Sequence, residues 1–201
     1  MKGPLKVAIG VPSNDMVHTD FTMCLINLCM YSFMNNVHVC VISQRSSIIE
    51  VGRCEIAAVA LQTGAEKLLT LDSDMTFPPN TLIELIRKNK DIICCDAKRR
   101  RPPYTSVLCD TEGKPLDHSI RLPALVEVAG GSSACQLVDL NVFRKIKEPY
   151  YKVEFNDKKE FLGEDYYFSN KVRKAGYAVF CDTVLSKQIG HIGVKEHKIG
   201  E

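Results

Sequence analysis

Between Leu5 and Cys95 the chain alternates short, wholly apolar runs with longer stretches that are apolar on one face, and few folds accept that pattern. Residues 5–11, 37–42, 67–71 and 91–95 have strand length and favour β-branched and aliphatic side chains. Residues 19–34, 48–62 and 80–89 read as helices. Pro78-Pro79 opens the third of these and Gly64 suits the C-terminal cap of the second. Strand–helix alternation predicts βαβ units and a mostly parallel sheet covered on both faces. Ligands of such sheets bind outside the carboxyl ends of the strands. The loops after Val11, Ile42, Leu71 and Cys95 should therefore open on one common edge.

Past residue 102 the rhythm changes. Residues 104–109 and 122–128 read as strands, with a turn at 110–114. Gly130-Gly131-Ser132-Ser133 reads as a loop, 139–145 and 164–175 as short helices, and 177–181 as a last strand. These are α+β additions to the same sheet, so residues 1–201 are expected to form one domain. The 201 residues carry 26 basic and 24 acidic side chains, a balance that argues against nucleic acid or an anionic membrane as partner. Nine cysteines, an odd number, several inside apolar runs and none in a Cys-x-x-Cys pair, suit free thiols in a reducing, cytoplasmic setting. The first apolar run is too short for a signal core. No apolar stretch reaches the ~18–20 residues of a membrane span.

Four groups of residues could carry chemistry. Asp72-Ser73-Asp74 follows the third strand directly, and two carboxylates at i and i+2 offer hard oxygen ligands to Mg²⁺ or Mn²⁺. A solvated acidic turn explains them equally well. Glu164-Asp165 opens a helix, where the dipole alone favours acids; the chemical alternative is a carboxylate base. His191, between Gly190 and Gly193, is either a surface residue or the imidazole that completes a metal site begun by carboxylates. Lys98-Arg99-Arg100-Arg101 lies past the fourth strand and is a solvated loop or a holder of phosphate or of an anionic acceptor. Arg53 either pairs on a helix surface with Glu50 and Glu55 or faces a nucleotide. His18, His38, His118 and His197 stand in no such context. No Gly-x-x-x-x-Gly-Lys-Ser/Thr loop, Gly-x-Gly-x-x-Gly turn or Gly-x-Ser-x-Gly elbow is present.

Taken in order, Val11-Pro12-Ser13, Glu50-Val51-Gly52-Arg53, Leu69-Thr70-Leu71-Asp72-Ser73-Asp74, Gly163-Glu164-Asp165 and His191 resemble the motifs of GT-A glycosyltransferases, the family-2-like group above all. The resemblance spans nearly the whole chain. It implies the GT-A fold, with residues 1–100 as the nucleotide-sugar half and 101–201 as the acceptor half. It implies transfer of a hexose from a nucleotide-diphosphate sugar, UDP-glucose or similar, to a hydroxyl of a glycan or glycoprotein. Asp74 and His191, with Asp72, would hold Mn²⁺ or Mg²⁺. Pro12, Ser13, Arg53, Asp72, Ser73 and Lys98 would line the donor pocket. Asp165 or Glu164 would be the base, and Gly130, Gly131 and Ser132 would let an acceptor approach. The small size and compact ending also resemble glycosyltransferase domains of large algal viruses, which would place the chain in a host cytoplasm. Two alternatives stay open: a sugar-1-phosphate nucleotidyltransferase, disfavoured by the glycine-free loop Pro12-Ser13-Asn14-Asp15, and a non-catalytic sugar-nucleotide or glycan-binding module.

Overall fold

The computed structural model describes residues 3–100, 104–155 and 161–193. Arg101 and His197 lie outside them. The first half runs β1 (Leu5–Ser13), α1 (Thr19–Met34), β2 (Val37–Arg45), α2 (Ile49–Ala60), β3 (Lys67–Leu71), β4 (Met75–Thr76), α3 (Thr81–Arg87) and β5 (Ile92–Cys94). There follow β6 (Cys109–Asp110), β7 (Leu125–Gly130), β8 (Cys135–Asp139), α4 (Leu140–Lys145), β9 (Glu154–Phe155) and β10 (Phe161–Leu162). The described chain ends with α5 (Glu164–Lys174), β11 (Val179–Asp182), α6 (Thr183–Ser186) and β12 (Gly190–His191).

Eight strands form one sheet in the order β2-β1-β3-β8-β5-β11-β7-β6. β1 pairs parallel with β2 and β3, and β5 pairs parallel with β11. β8 and β7 run against their neighbours, so the remaining six strands share one direction and the sheet is mainly parallel. Successive side chains of β1 alternate between the two faces, as a strand requires. Val7, Ile9 and Val11 join Phe21 and Leu28 of α1 and Leu82 and Leu85 of α3 in one apolar cluster. Ala8 joins Ile56, Ala57 and Ala60 of α2, with Phe143, Tyr151 and Phe168, in the other. Each Leu, Ile or Phe buried in these layers contributes about 1.5–3 kcal/mol. A methyl on Gly10 would strike the Ile56 side chain, so glycine there sets how closely α2 lies on β1.

Besides adding the short elements β4, β9, β10, α6 and β12, the structure departs from the sequence expectations at two places in the main sheet. The segment 104–109 holds a strand only at its end, β6, with an isolated Lys98–Ser106 bridge before it. The Asp96 carboxylate accepts from the Val107 backbone N–H and the Ser106 hydroxyl, taking the place of a strand partner. β8 was not expected at all. It lies between β3 and β5, so the second half of the chain supplies a strand to the middle of the first half's sheet. Among the described residues no helix is long and apolar enough to cross a membrane.

Candidate active site

The carboxyl ends of β1, β3, β5 and β11 share one edge, and the candidate residues gather along it in that order. Pro12 is buried at the end of β1, past the last β1–β3 pair, Gly10↔Thr70, so its missing N–H leaves that ladder intact. Ser13 is half-buried, and its carbonyl accepts from Ser46 N–H at 3.0 Å, which fixes the loop that leads into α2.

Arg53 projects from α2 into the middle of this edge and is 3% exposed. One guanidinium nitrogen lies 2.9 Å from Asp72 Oδ1; Nε lies 3.4 Å from Glu164 Oε1 and 3.9 Å from Asp165 Oδ1. A further N–H donates to the Ser133 carbonyl at 3.3 Å, which also accepts from Thr70 Oγ1 at 2.7 Å. Burial opposes the charge on Arg53, but the three carboxylates outweigh it and hold the group firmly protonated. The surface-pair reading with Glu50 and Glu55 is thereby replaced.

Asp72 and Asp74 part company. Residues 73 and 74 form a turn closed by Met75 N–H to the Asp72 carbonyl at 3.1 Å, which breaks the two-residue alternation of β3. Asp72 therefore faces Arg53, while Asp74 faces His191 (Oδ2 to Nε2, 3.5 Å) and Arg100 (2.7 Å). The turn is held from both sides: His18 N–H reaches the Ser73 carbonyl and Ile192 N–H the Asp74 carbonyl. Antiparallel pairing of β4 with β12 brings His191 opposite Met75. Burial raises the Asp74 pKa, but the His191 hydrogen bond, its charge and Arg100 outweigh that and leave it below the usual value; His191 is raised by the same hydrogen bond.

The donor set of Asp74 and His191 fits a hard divalent ion. His191 Nδ1 lies 3.0 Å from the Lys98 carbonyl, which can only accept, so Nδ1 carries the proton and neutral His191 turns the Nε2 lone pair toward Asp74. Among the described residues no third metal-ligating side chain joins them. One or two side chains with phosphate oxygens are a common Mg²⁺ arrangement. Lys98 contributes its carbonyl to the site, while its side chain is exposed.

Glu164 and Asp165 occupy the first turn of α5. That helix is pinned by Gly131 N–H donating to Ser169 Oγ, and by Ser169 donating to the Asp165 carbonyl. Asp165 Oδ1 is sealed and accepts no hydrogen bond, although 28% of the side chain is accessible. Burial first, then Glu164 and Asp72, push the Asp165 carboxyl up to about 6 against the pull of Arg53.

Gly130, Gly131 and Ser132 do not form an open surface for an acceptor. All three are buried. A Cβ on Gly130 would lie 2.7 Å from the Tyr166 ring, and one on Gly131 2.6 Å from Gln136 Nε2. Their smallness serves packing between β7, β8 and α5. Sequence reasoning also passed over Asp96 and His118. Asp96 follows β5 on the ligand edge, so topology offered a signal for it. His118 lies twenty-two residues further on in a loop, and nothing local marks its 2.6 Å contact with Asp96.

No protein-family model matches the chain, and no curated protein does. Solved structures do resemble it. The chain is similar to A197 from STIV (TM-score 0.58, 15% identity, 98% of this chain and 100% of that one). It is similar to a Drosophila galactosyltransferase 7 solved with manganese, UDP-Gal and xylobiose (TM-score 0.53, 15% identity, 98% and 77%). It is also similar to the inositol-1-phosphate CTP transferase of T. maritima (TM-score 0.50, 14% identity, 96% and 91%). A glycosyltransferase involved in glycosylation of the PBCV-1 major capsid gives a TM-score of 0.38 over 72% of the chain, too low to support the viral resemblance. At such identities the likeness is one of fold, and the fold is that of GT-A-like nucleotide-sugar transferases: a large, mainly parallel sheet flanked by helices.

Proposed function

We propose that the chain is a metal-dependent glycosyltransferase that moves a hexose from a nucleotide-diphosphate sugar, a UDP-sugar by preference, to a hydroxyl of a glycan or glycoprotein. The observation that carries this reading is the Arg53 knot of Asp72, Glu164 and Asp165 standing beside the Asp74–His191 pair on the ligand edge. Asp74 and His191 would hold Mn²⁺ or Mg²⁺, which when bound neutralises charge on the leaving diphosphate. Pro12, Ser13 and Ser73 line the nucleotide side, with the Lys98 chain at its far end. Arg53, paired with Asp72 at 2.9 Å, holds that carboxylate in place on the donor side.

The acceptor hydroxyl oxygen forms the new bond to the anomeric carbon. The bond from that carbon to the diphosphate breaks, and its electron pair leaves with the nucleotide. The hydroxyl proton passes to the Asp165 carboxylate, at the oxygen not sealed against Arg53. A carboxylate raised to about 6 is a stronger base than a solvent-exposed one and remains ionised at neutral pH.

Turnover of a UDP-sugar with Mn²⁺, read as release of UDP, tests the assignment. Asp74→Asn should lower kcat/KM at least about a hundredfold, since an ion at a developing charge contributes several kcal/mol. Unchanged turnover in that variant would remove Asp74 from the metal site. Release of pyrophosphate from a nucleoside triphosphate, with no UDP, would assign nucleotidyl transfer instead.

A further inference from the structure

A cavity of about 1090 Å³ opens beside the Asp74–His191 pair, lined by residues 96–100 and 104–106, the turn 115–119 and parts of the stretch 186–193. Of its lining residues the functional reading above uses only His191 and Lys98, at the border nearest Asp74. Its place in the fold is set by strand order: from β1 at the nucleotide side, the ligand edge passes β3 with Asp74, then reaches β5 and β11, which carry the cavity. A donor laid from Pro12 across Asp74 would point its sugar into it.

The lining carries four cations, Lys98, Arg99, Arg100 and Lys187, against two acids. Lys98, Arg99 and Lys187 border the cavity, and among the described residues none of the three lies within ion-pair distance of a carboxylate. Arg100 joins them and is shared with Asp74. The two acids present are already engaged. Asp117 accepts from the Ser119 N–H and hydroxyl of its own turn. Asp96, 3% exposed, takes the Ala97 and Val107 N–H groups, the Ser106 hydroxyl and His118 Nε2 at 2.6 Å. That contact fixes the His118 ring and leaves its Nδ1 edge unbound among the described residues. Tyr104 stands at the rim, 56% exposed and with φ of 54°, a left-handed conformation that bulky residues seldom take. Its ring offers an apolar face, and Thr105 and Ser119 add hydroxyls to the lining, the latter already donating to Asp117. Unpaired cations, a braced imidazole, hydroxyls and one aromatic face are the equipment for a sugar bearing an anion.

Resting on the glycosyltransferase reading, we propose that this cavity is the acceptor site and that it takes a carbohydrate carrying a phosphate or carboxylate, held by Lys98, Arg99 and Lys187 with His118 oriented by Asp96.

Calorimetry on the full chain, with glucose, glucose 6-phosphate, glucuronate and inorganic phosphate as probes, tests it. At least one charged sugar should bind about tenfold more tightly than glucose, the effect of one charge-assisted hydrogen bond. Which of the two binds separates phosphate from carboxylate. Inorganic phosphate should bind more weakly than the preferred sugar; equal affinity would overturn the carbohydrate part of the proposal. In the charge-reversal variant Arg99→Glu/Lys187→Glu, both positions exposed, the preference over glucose should vanish. A preference that survives, or glucose binding as well as the charged sugars, overturns the anionic site. Titration of UDP with Mn²⁺ in the same proteins reads the donor side separately. Loss of UDP binding in the unmodified chain would sink the donor reading, whereas intact UDP binding with no charged-sugar preference would sink the cavity alone.

Discussion

Asp165 has one oxygen sealed beside Arg53 and 28% of its side chain accessible, an asymmetry that suits the proposed role of base. Burial raises its carboxyl to about 6 while Arg53 prevents a larger rise. A base must be ionised to act, so kcat/KM should climb about tenfold per pH unit below about 6 and level off above it. Asp165→Asn should abolish turnover while leaving UDP binding in place; retention of the acid limb in a partly active variant would assign the limb to another group. The stability consequence has the opposite direction. Between the ordinary value of 3.8 and about 6 the folded chain binds this proton more than the unfolded chain does. The Asp165 contribution therefore weakens the fold as pH rises through that window, and Asp165→Asn should flatten this component in urea midpoints taken across it. A residue kept at such a cost to stability is easier to explain by chemistry than by packing. Arg53 answers to the same logic: three carboxylates converge on it, and removing its charge would leave Asp72, Glu164 and Asp165 crowded without a counter-ion.

At the scale of elements, β8 and the turn before it decide how the two ends of the site meet. β8 pairs with β3 along Lys67–Leu71 and with β5 along Ile92–Cys94, and the Ala134 carbonyl accepts from Asp72 N–H at 2.9 Å. Gly131 leads into this strand with no room for a side chain: a Cβ there would meet Gln136 Nε2 at 2.6 Å and Val179 Cγ1 at 2.9 Å. Gly131→Ala should cost about 1–3 kcal/mol by overpacking, read as a lower urea midpoint with unchanged m-value. A neutral result would mean that the turn has slack and is free to admit a ligand. The first half of the fold was legible because each strand and helix there carries its own period and its own punctuation, as Pro78-Pro79 before α3 shows. β8 was not, because Cys135–Val138 is buried on both faces and a wholly buried strand has no alternation to read. The site divides the same way. Asp72, Asp74, Glu164 and Asp165 stand at element ends, where spacing and topology point to them. The Arg53 knot and the Asp96–His118 contact are long-range pairings, 111 residues apart in the case of Arg53 and Glu164, and no local pattern encodes them.

Across the whole molecule, the chain's two halves are woven into one sheet, so occupation of the ligand edge should be felt by the global fold. β3 and β5 bring Asp74 and Asp96 from the first half; β8, α5 and β12 bring Ser133, Asp165 and His191 from the second. A ligand bridging these elements binds the folded chain and has nothing comparable to bind when the chain is unfolded. At a hundred times its dissociation constant it adds about 2.7 kcal/mol. For a chain of this size that is a rise of about 5–10 °C in Tm. UDP and a UDP-sugar should each produce it in the presence of Mn²⁺, and Mn²⁺ alone should produce much less, because on the proposed reading Asp74 and His191 would offer only two side-chain ligands. In Asp74→Asn the Mn²⁺-dependent part of the shift should disappear, while a smaller nucleotide shift from the Pro12 and Arg53 side persists. A shift with CTP or UTP and none with any nucleotide sugar would be the ligand preference of a nucleotidyltransferase, and it would turn the Arg53 knot from a support for glycosyl transfer into a frame for a different leaving group.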